Sequence, residues 1–143
     1  MFRLISSLVV ILTISQSVVA LLSREDFGEK LLEVASMLHN RCIIKSGVNE
    51  VSIEGIAHGN FVDDMKVKKY IACLWVESEA MNEDGSLNME VIEVLCPPKL
   101  KREMEVGLPR CHAESAGIRP LYERTYQITK CFYERYPDHF FVL

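Results

Sequence analysis

Asp63-Asp64-Met65-Lys66-Val67-Lys68-Lys69-Tyr70-Ile71-Ala72-Cys73-Leu74-Trp75 is the stretch that decides the fold. At 3.6 residues per turn, Val67, Tyr70, Ile71, Leu74 and Trp75 fall on one side, with Lys66, Lys68 and Lys69 largely on the other. The paired aspartates mark a start, because a carboxylate can accept the orphan N–H groups of a first helical turn. The segment predicts an amphipathic helix with a cysteine near its end.

The same period recurs to either side. Upstream, Ser23 reads as an N-cap with Asp26 three residues on, followed by Phe27, Leu31, Leu32, Ala35 and Leu38 in register up to Cys42. Asn49 caps a short second helix carrying Ile53, Ile56 and Ala57, which stops at Gly59. Downstream, Glu83-Asp84-Gly85 is a turn. A fourth helix runs from about Asn88 to Cys96 and ends at Pro97-Pro98, since proline removes a donor and clashes with the preceding turn. Pro98 opens a fifth through Leu100 and Met104, which Gly107 and Pro109 are expected to kink or break. Pro120 opens the last, with Leu121, Thr125, Ile128 and Phe132 in register, and Pro137 closes it. No segment alternates as a strand. The expectation is an all-α fold: a compact bundle of about six short helices.

The N-terminus sets the compartment. One positive charge at Arg3 precedes an uncharged stretch from Leu4 to Ala20 that ends in small residues, the pattern of a secretory signal peptide. About 17 residues interrupted by Ser, Thr and Gln make a marginal membrane span, so a signal peptide over 1–20 and a single secreted domain over 21–143 is the reading, with no membrane insertion. The net charge of −4, or −5 without Arg3, gives no electrostatic case for nucleic acid. No Asn-x-Ser/Thr sequon occurs.

An oxidising compartment makes disulfides the expectation. The cysteines are Cys42, Cys73, Cys96, Cys111 and Cys131. The odd count leaves one thiol over, and arithmetic alone leaves the pairing open. The lack of any C-x-x-C argues against a zinc site or a redox motif. Phosphate loops, G-x-S-x-G, H-E-x-x-H and paired-acid motifs are likewise missing. The four histidines, 39, 58, 112 and 139, read as surface or cap residues. Neither enzyme activity, a cofactor nor a metal is expected.

Here the residues become recognisable. A secreted chain of six short helices with Cys42, Cys73, Cys111 and Cys131 at these separations resembles the insect odorant-binding protein (pheromone/general odorant-binding) family. That family carries six cysteines, with a C-x-x-x-C on the third helix and a C-x8-C on the last. Lys69-Tyr70-Ile71-Ala72-Cys73-Leu74 looks like the first motif with Lys69 in place of the second cysteine. The segment from Tyr122 to Cys131 looks like the second, with Tyr122 in place of the fifth. Both ends of one bridge are gone, as in the family's reduced-cysteine (Minus-C) branch.

The resemblance implies two disulfides, Cys42–Cys73 and Cys111–Cys131, around an internal apolar cavity. Cys96 matches no family position; it reads as a buried small hydrophobe, the alternative being an intermolecular disulfide that makes a homodimer. In the chain-entropy model the 42–73 bridge contributes about 3–4 kcal/mol, and the missing 69–122 bridge would have contributed about 4. The third and last helices are therefore expected to be freer to separate, unless packing of Tyr122 compensates.

The function implied is a secreted carrier of small hydrophobic ligands, odorants, pheromones or similar, with a chemosensory receptor as a further candidate partner. On the third helix Ile71, Trp75 and Val76 are ligand candidates; on the fourth, Met89 and Ile92. On the last helix Thr125, Ile128, Thr129 and Phe132 should face the same space, and Tyr126 could offer a hydroxyl or be a packed residue. The apolar tail Phe140-Phe141-Val142-Leu143 should fold back as a wall of the pocket, and His139 within it is a candidate pH trigger for release. The alternative is a secreted helical interaction or signalling protein without a small ligand, or a helical toxin.

Overall fold

The computed structural model describes residues 27–142. The signal-peptide reading over 1–20 and the Ser23 cap with Asp26 lie outside the described residues. Six α-helices form within them, with no strand beyond one isolated bridge between Met81 and Leu87.

Helix α1 (Glu29–Ser46) stops at Gly47, whose left-handed backbone (φ 69°) lets its N–H reach the Ile43 carbonyl. Helix α2 (Glu50–Ala57) starts where the Asn49 side chain accepts the Ser52 N–H at 2.8 Å. Asp64 Oδ1 takes the Lys66 and Val67 N–H groups at 2.7 and 3.2 Å to open α3 (Met65–Glu77). After the Asp84–Gly85 turn, Asn88 caps α4 (Met89–Leu95), and a 3-10 turn at Pro98–Leu100 leads into α5 (Lys101–Glu114). Helix α6 (Leu121–Arg135) follows Pro120, and a second 3-10 turn, Pro137–His139, begins the tail.

Two sequence expectations are corrected. Helix α5 runs unbroken through Gly107 and Pro109. Pro109 and Glu105, whose carbonyl loses its donor, both lie on the exposed face, where solvent can satisfy that group. Leu108 and Cys111 on the opposite face are buried. Gly107 is itself required: a Cβ there would sit 2.2 Å from the Tyr136 ring. The second correction is Lys68, which is buried rather than on the solvent side (8 % exposed). Its ammonium pairs with Asp63 on its own strand of chain and with Glu123 of α6 at 2.7 Å, and lies 5.3 Å from the centre of the Tyr126 ring.

The histidines are also more engaged than surface positions imply. His39 Nδ1 lies 2.8 Å from the Tyr70 hydroxyl and its Nε2 3.1 Å from Glu50; His112 Nε2 lies 2.7 Å from the Gly85 carbonyl.

The core has two parts. One cluster joins α1, α2 and α3 through Leu38, Ile53, Ile56, Val67, Tyr70 and Ile71, with Tyr126 of α6 added to it. The other joins α4, α5 and α6 through Ile92, Leu108, Ile128 and Phe132. Each part has its own disulfide, Cys42–Cys73 in the first and Cys111–Cys131 in the second. Ion pairs reinforce the same junctions: Arg41 and Lys45 of α1 hold Glu77 of α3, and Arg135 of α6 holds Glu114 of α5 at 2.7 Å. The cations keep both glutamates below the usual carboxylate range, mainly through these hydrogen bonds.

The bridge that the six-cysteine pattern would place between positions 69 and 122 would tie α3 to α6. In its place stand Lys68–Glu123, one residue along on each helix, and the Trp75 indole, which donates to Thr129 Oγ1 at 3.0 Å.

Candidate functional site

The seam between the two clusters is not filled. A cavity of about 150 Å³ lies there, and its walls come from α1, α3, α4, α5, α6 and the tail. Helix α3 contributes Ile71, Leu74 and Trp75, α4 Ile92 and Leu95, and α6 Thr129 and Phe132. Met104 and Leu108 of α5, Leu31 of α1, and Ser78, Ala80 and Cys96 complete the shell with Phe140, Phe141 and Val142 of the tail. None of these side chains is charged. Trp75, the chain's single tryptophan, packs against both clusters and so forms part of the seam itself.

The tail is held by aromatic contacts at both ends. Phe140 sits 6.0 Å from the Phe61 ring and 5.2 Å from Tyr133, and Phe141 lies 5.2 Å from Phe27 in an edge-on arrangement. On the outer side of Phe141 and Val142 a second, more polar cleft opens along α1, lined by Phe27, Leu32, Ala35 and His39 among others. Phe141 and Val142 of the tail, with Leu31 of α1, thus line both the cavity and this cleft.

Of the sequence candidates, Ile71, Trp75, Ile92, Thr129, Phe132, Phe140 and Phe141 meet around the cavity. Five do not. Thr125 is wholly buried and its hydroxyl donates to the Tyr122 carbonyl at 3.2 Å. Tyr126 turns the other way, its hydroxyl 2.8 and 3.1 Å from the Phe61 and Val62 carbonyls; burial raises its pKa. Ile128 fills the second cluster, Met89 packs on the edge of that cluster, and Val76 is half-buried away from the void. On α6 the cavity takes only the stripe of Thr129 and Phe132, and the neighbouring stripe is spent on packing.

Leu31, Leu74, Ser78, Ala80, Leu95, Cys96, Met104 and Leu108 line the cavity without having been singled out from sequence, and Val142 does so as part of the expected tail wall. Leu31, Leu74 and Met104 did carry a signal, since each stands on an apolar helical face. Periodicity says that such a residue points inward but not whether it meets another side chain or a void.

Cys96 is free, with its thiol 3.4 Å from the Pro97 carbonyl. Burial, helped by the Glu103 carboxylate, pushes the thiol up to about 11. At a given pH it then holds about 100-fold less thiolate than an ordinary cysteine. Labelling by a disulfide reagent at pH 8 is expected to be slower by that order in the folded protein than in urea, and slower again when a guest occupies the cavity. Equal rates folded and unfolded would contradict the placement.

His139 Nδ1 lies 3.1 Å from Glu103 Oε1, tying the tail to α5.

Among the described residues no helix is long and apolar enough to cross a membrane, and no group of His, Cys, Asp and Glu is arranged to hold a metal ion. The PBP/GOBP family model matches residues 24–135. Odorant binding protein 4 of Chrysopa pallens superposes with a TM-score of 0.68 at 21% identity, covering 86% of this chain and 100% of that one. Odorant binding protein 5 of Apis mellifera gives 0.65 at 19% identity, over 86% and 99%. Odorant binding protein 7 of Anopheles gambiae, which has four disulfide bridges and was solved in complex with an azo compound, gives 0.63 at 24% identity, over 76% and 87%. The chain therefore belongs to the PBP/GOBP family of odorant-binding proteins, in a two-disulfide form that fits its Minus-C variants.

Proposed function

We propose that this protein is a secreted carrier that takes one small hydrophobic molecule into the cavity at its seam and moves it through aqueous fluid. The single observation that carries the reading is an uncharged, almost wholly apolar void walled by five helices and the tail. Membership of a binding family rather than an enzymatic one supports it, as does the small-molecule complex of the Anopheles relative. About 150 Å³ is the size of cavity that stays dry and takes up a benzene-sized guest. The leader supports export, with the mature chain starting after Ala20. Cys96 as part of the cavity wall argues for a monomer rather than a cysteine-linked dimer.

The test is displacement of an apolar fluorescent probe from delipidated, oxidised protein at pH 7. Saturable one-to-one binding, reversed by small volatile compounds, is the expected result. A folded protein that binds no probe would move the reading to a helical interaction protein.

A further inference from the structure

The cavity holds four side chains with polar atoms, and each of their donors is already used inside the protein. The Trp75 N–H goes to Thr129 Oγ1 at 3.0 Å. The Thr129 hydroxyl goes back along its own helix to the Thr125 carbonyl at 2.8 Å. The Ser78 hydroxyl donates to the Trp75 carbonyl at 3.2 Å, and the Cys96 thiol faces the Pro97 carbonyl. Trp has one donor and a hydroxyl has one, so nothing remains to donate to a guest. No cation lines the wall, and of the charges that act on Cys96 from behind it the Glu103 carboxylate outweighs the Lys101 ammonium.

We propose that the cavity selects hydrocarbon guests over molecules of the same shape with a carbonyl or carboxylate head, and that Thr129 sets this choice by occupying the indole donor of Trp75. The inference rests on the carrier reading and names the class of cargo. A carbonyl guest leaves its water hydrogen bonds behind and finds no donor inside; a hydrocarbon leaves none. A carboxylate loses far more. Thr129 and Trp75 lie on α6 and α3, so the bond that withholds the donor also closes the seam.

Ethylbenzene, benzaldehyde and benzoate test this by calorimetry at pH 7, the first two being isosteric. Ethylbenzene is expected to bind about 10- to 100-fold more tightly than benzaldehyde, and benzoate not measurably. In Thr129→Val the indole N–H loses its acceptor and faces the cavity. Benzaldehyde should then gain about tenfold relative to ethylbenzene, a change of ratio that loosened packing alone would not produce. Benzaldehyde binding as tightly as ethylbenzene to the wild type, or an unchanged ratio in Thr129→Val, would overturn the inference while leaving the carrier standing. Failure of all three compounds to bind folded protein would overturn both.

Discussion

Deleting Phe140-Phe141-Val142-Leu143 is expected to weaken binding of an apolar guest by at least about tenfold while leaving the six helices intact. Three of these residues are cavity wall and two of them also line the outer cleft, so their loss widens the cavity's opening to that cleft and to solvent. A guest that loses cover over roughly 60 Å² loses about 1.5 kcal/mol at 25 cal/mol per Å² of apolar surface, which is that tenfold. Some stability goes too, because Phe140 packs against Phe61 and Tyr133. Far-UV circular dichroism separates the two effects: full helix content with a weakened guest is the expected combination. Unchanged affinity in a folded truncation would show that the tail is not a functional wall.

How far the sequence reaches toward this picture depends on the residue. Asn49 and Asp64 are legible as caps because a short side chain with an oxygen at a helix start has one evident use. Lys68 is not legible as buried by its chemistry, yet its register contains the clue. It stands three residues before Ile71 and seven before Trp75, on the margin of the apolar face, within reach of α6. Pro109 misleads because its cost depends on where the orphaned carbonyl points, and helical spacing had to be combined with the burial of Leu108 and Cys111 to learn that. That the tail folds back is legible from its apolarity; that it walls a pocket is what the family resemblance adds. Thr125, Tyr126 and Ile128 against Thr129 and Phe132 mark the limit on α6: all five are buried, and only packing decides which meet the void.

Restoring the missing bridge gives the second large effect. Lys69→Cys with Tyr122→Cys is expected to form a third disulfide and to raise stability to urea by about 4 kcal/mol, the chain-entropy value for a loop of this length. The adjacent Lys68–Glu123 pair already holds α3 and α6 together there. Because that bridge ties α3 to α6, both of which wall the cavity, it should also slow guest exchange. Lys68→Met is the converse. It leaves Asp63 and Glu123 without their shared cation, and should lower the urea midpoint and speed amide exchange in α3 and α6 more than in α1. Failure of the paired cysteines to bridge in oxidised, folded protein would mean that positions 69 and 122 do not occupy the family's second and fifth cysteine positions. A Lys68→Met protein as stable as wild type would mean that packing alone closes the seam.

The claim on which the rest depends is that a small apolar molecule enters this one cavity. Trp75 is the chain's single tryptophan and part of the wall, so its emission reports the event where it happens. Titration with ethylbenzene, excited at the red edge of indole absorption, should give a saturable one-to-one change. The change should be lost when Ala80→Leu, in protein shown to be folded, fills the void from its buried side. No saturable change in wild type, or the same change in Ala80→Leu, would contradict the account.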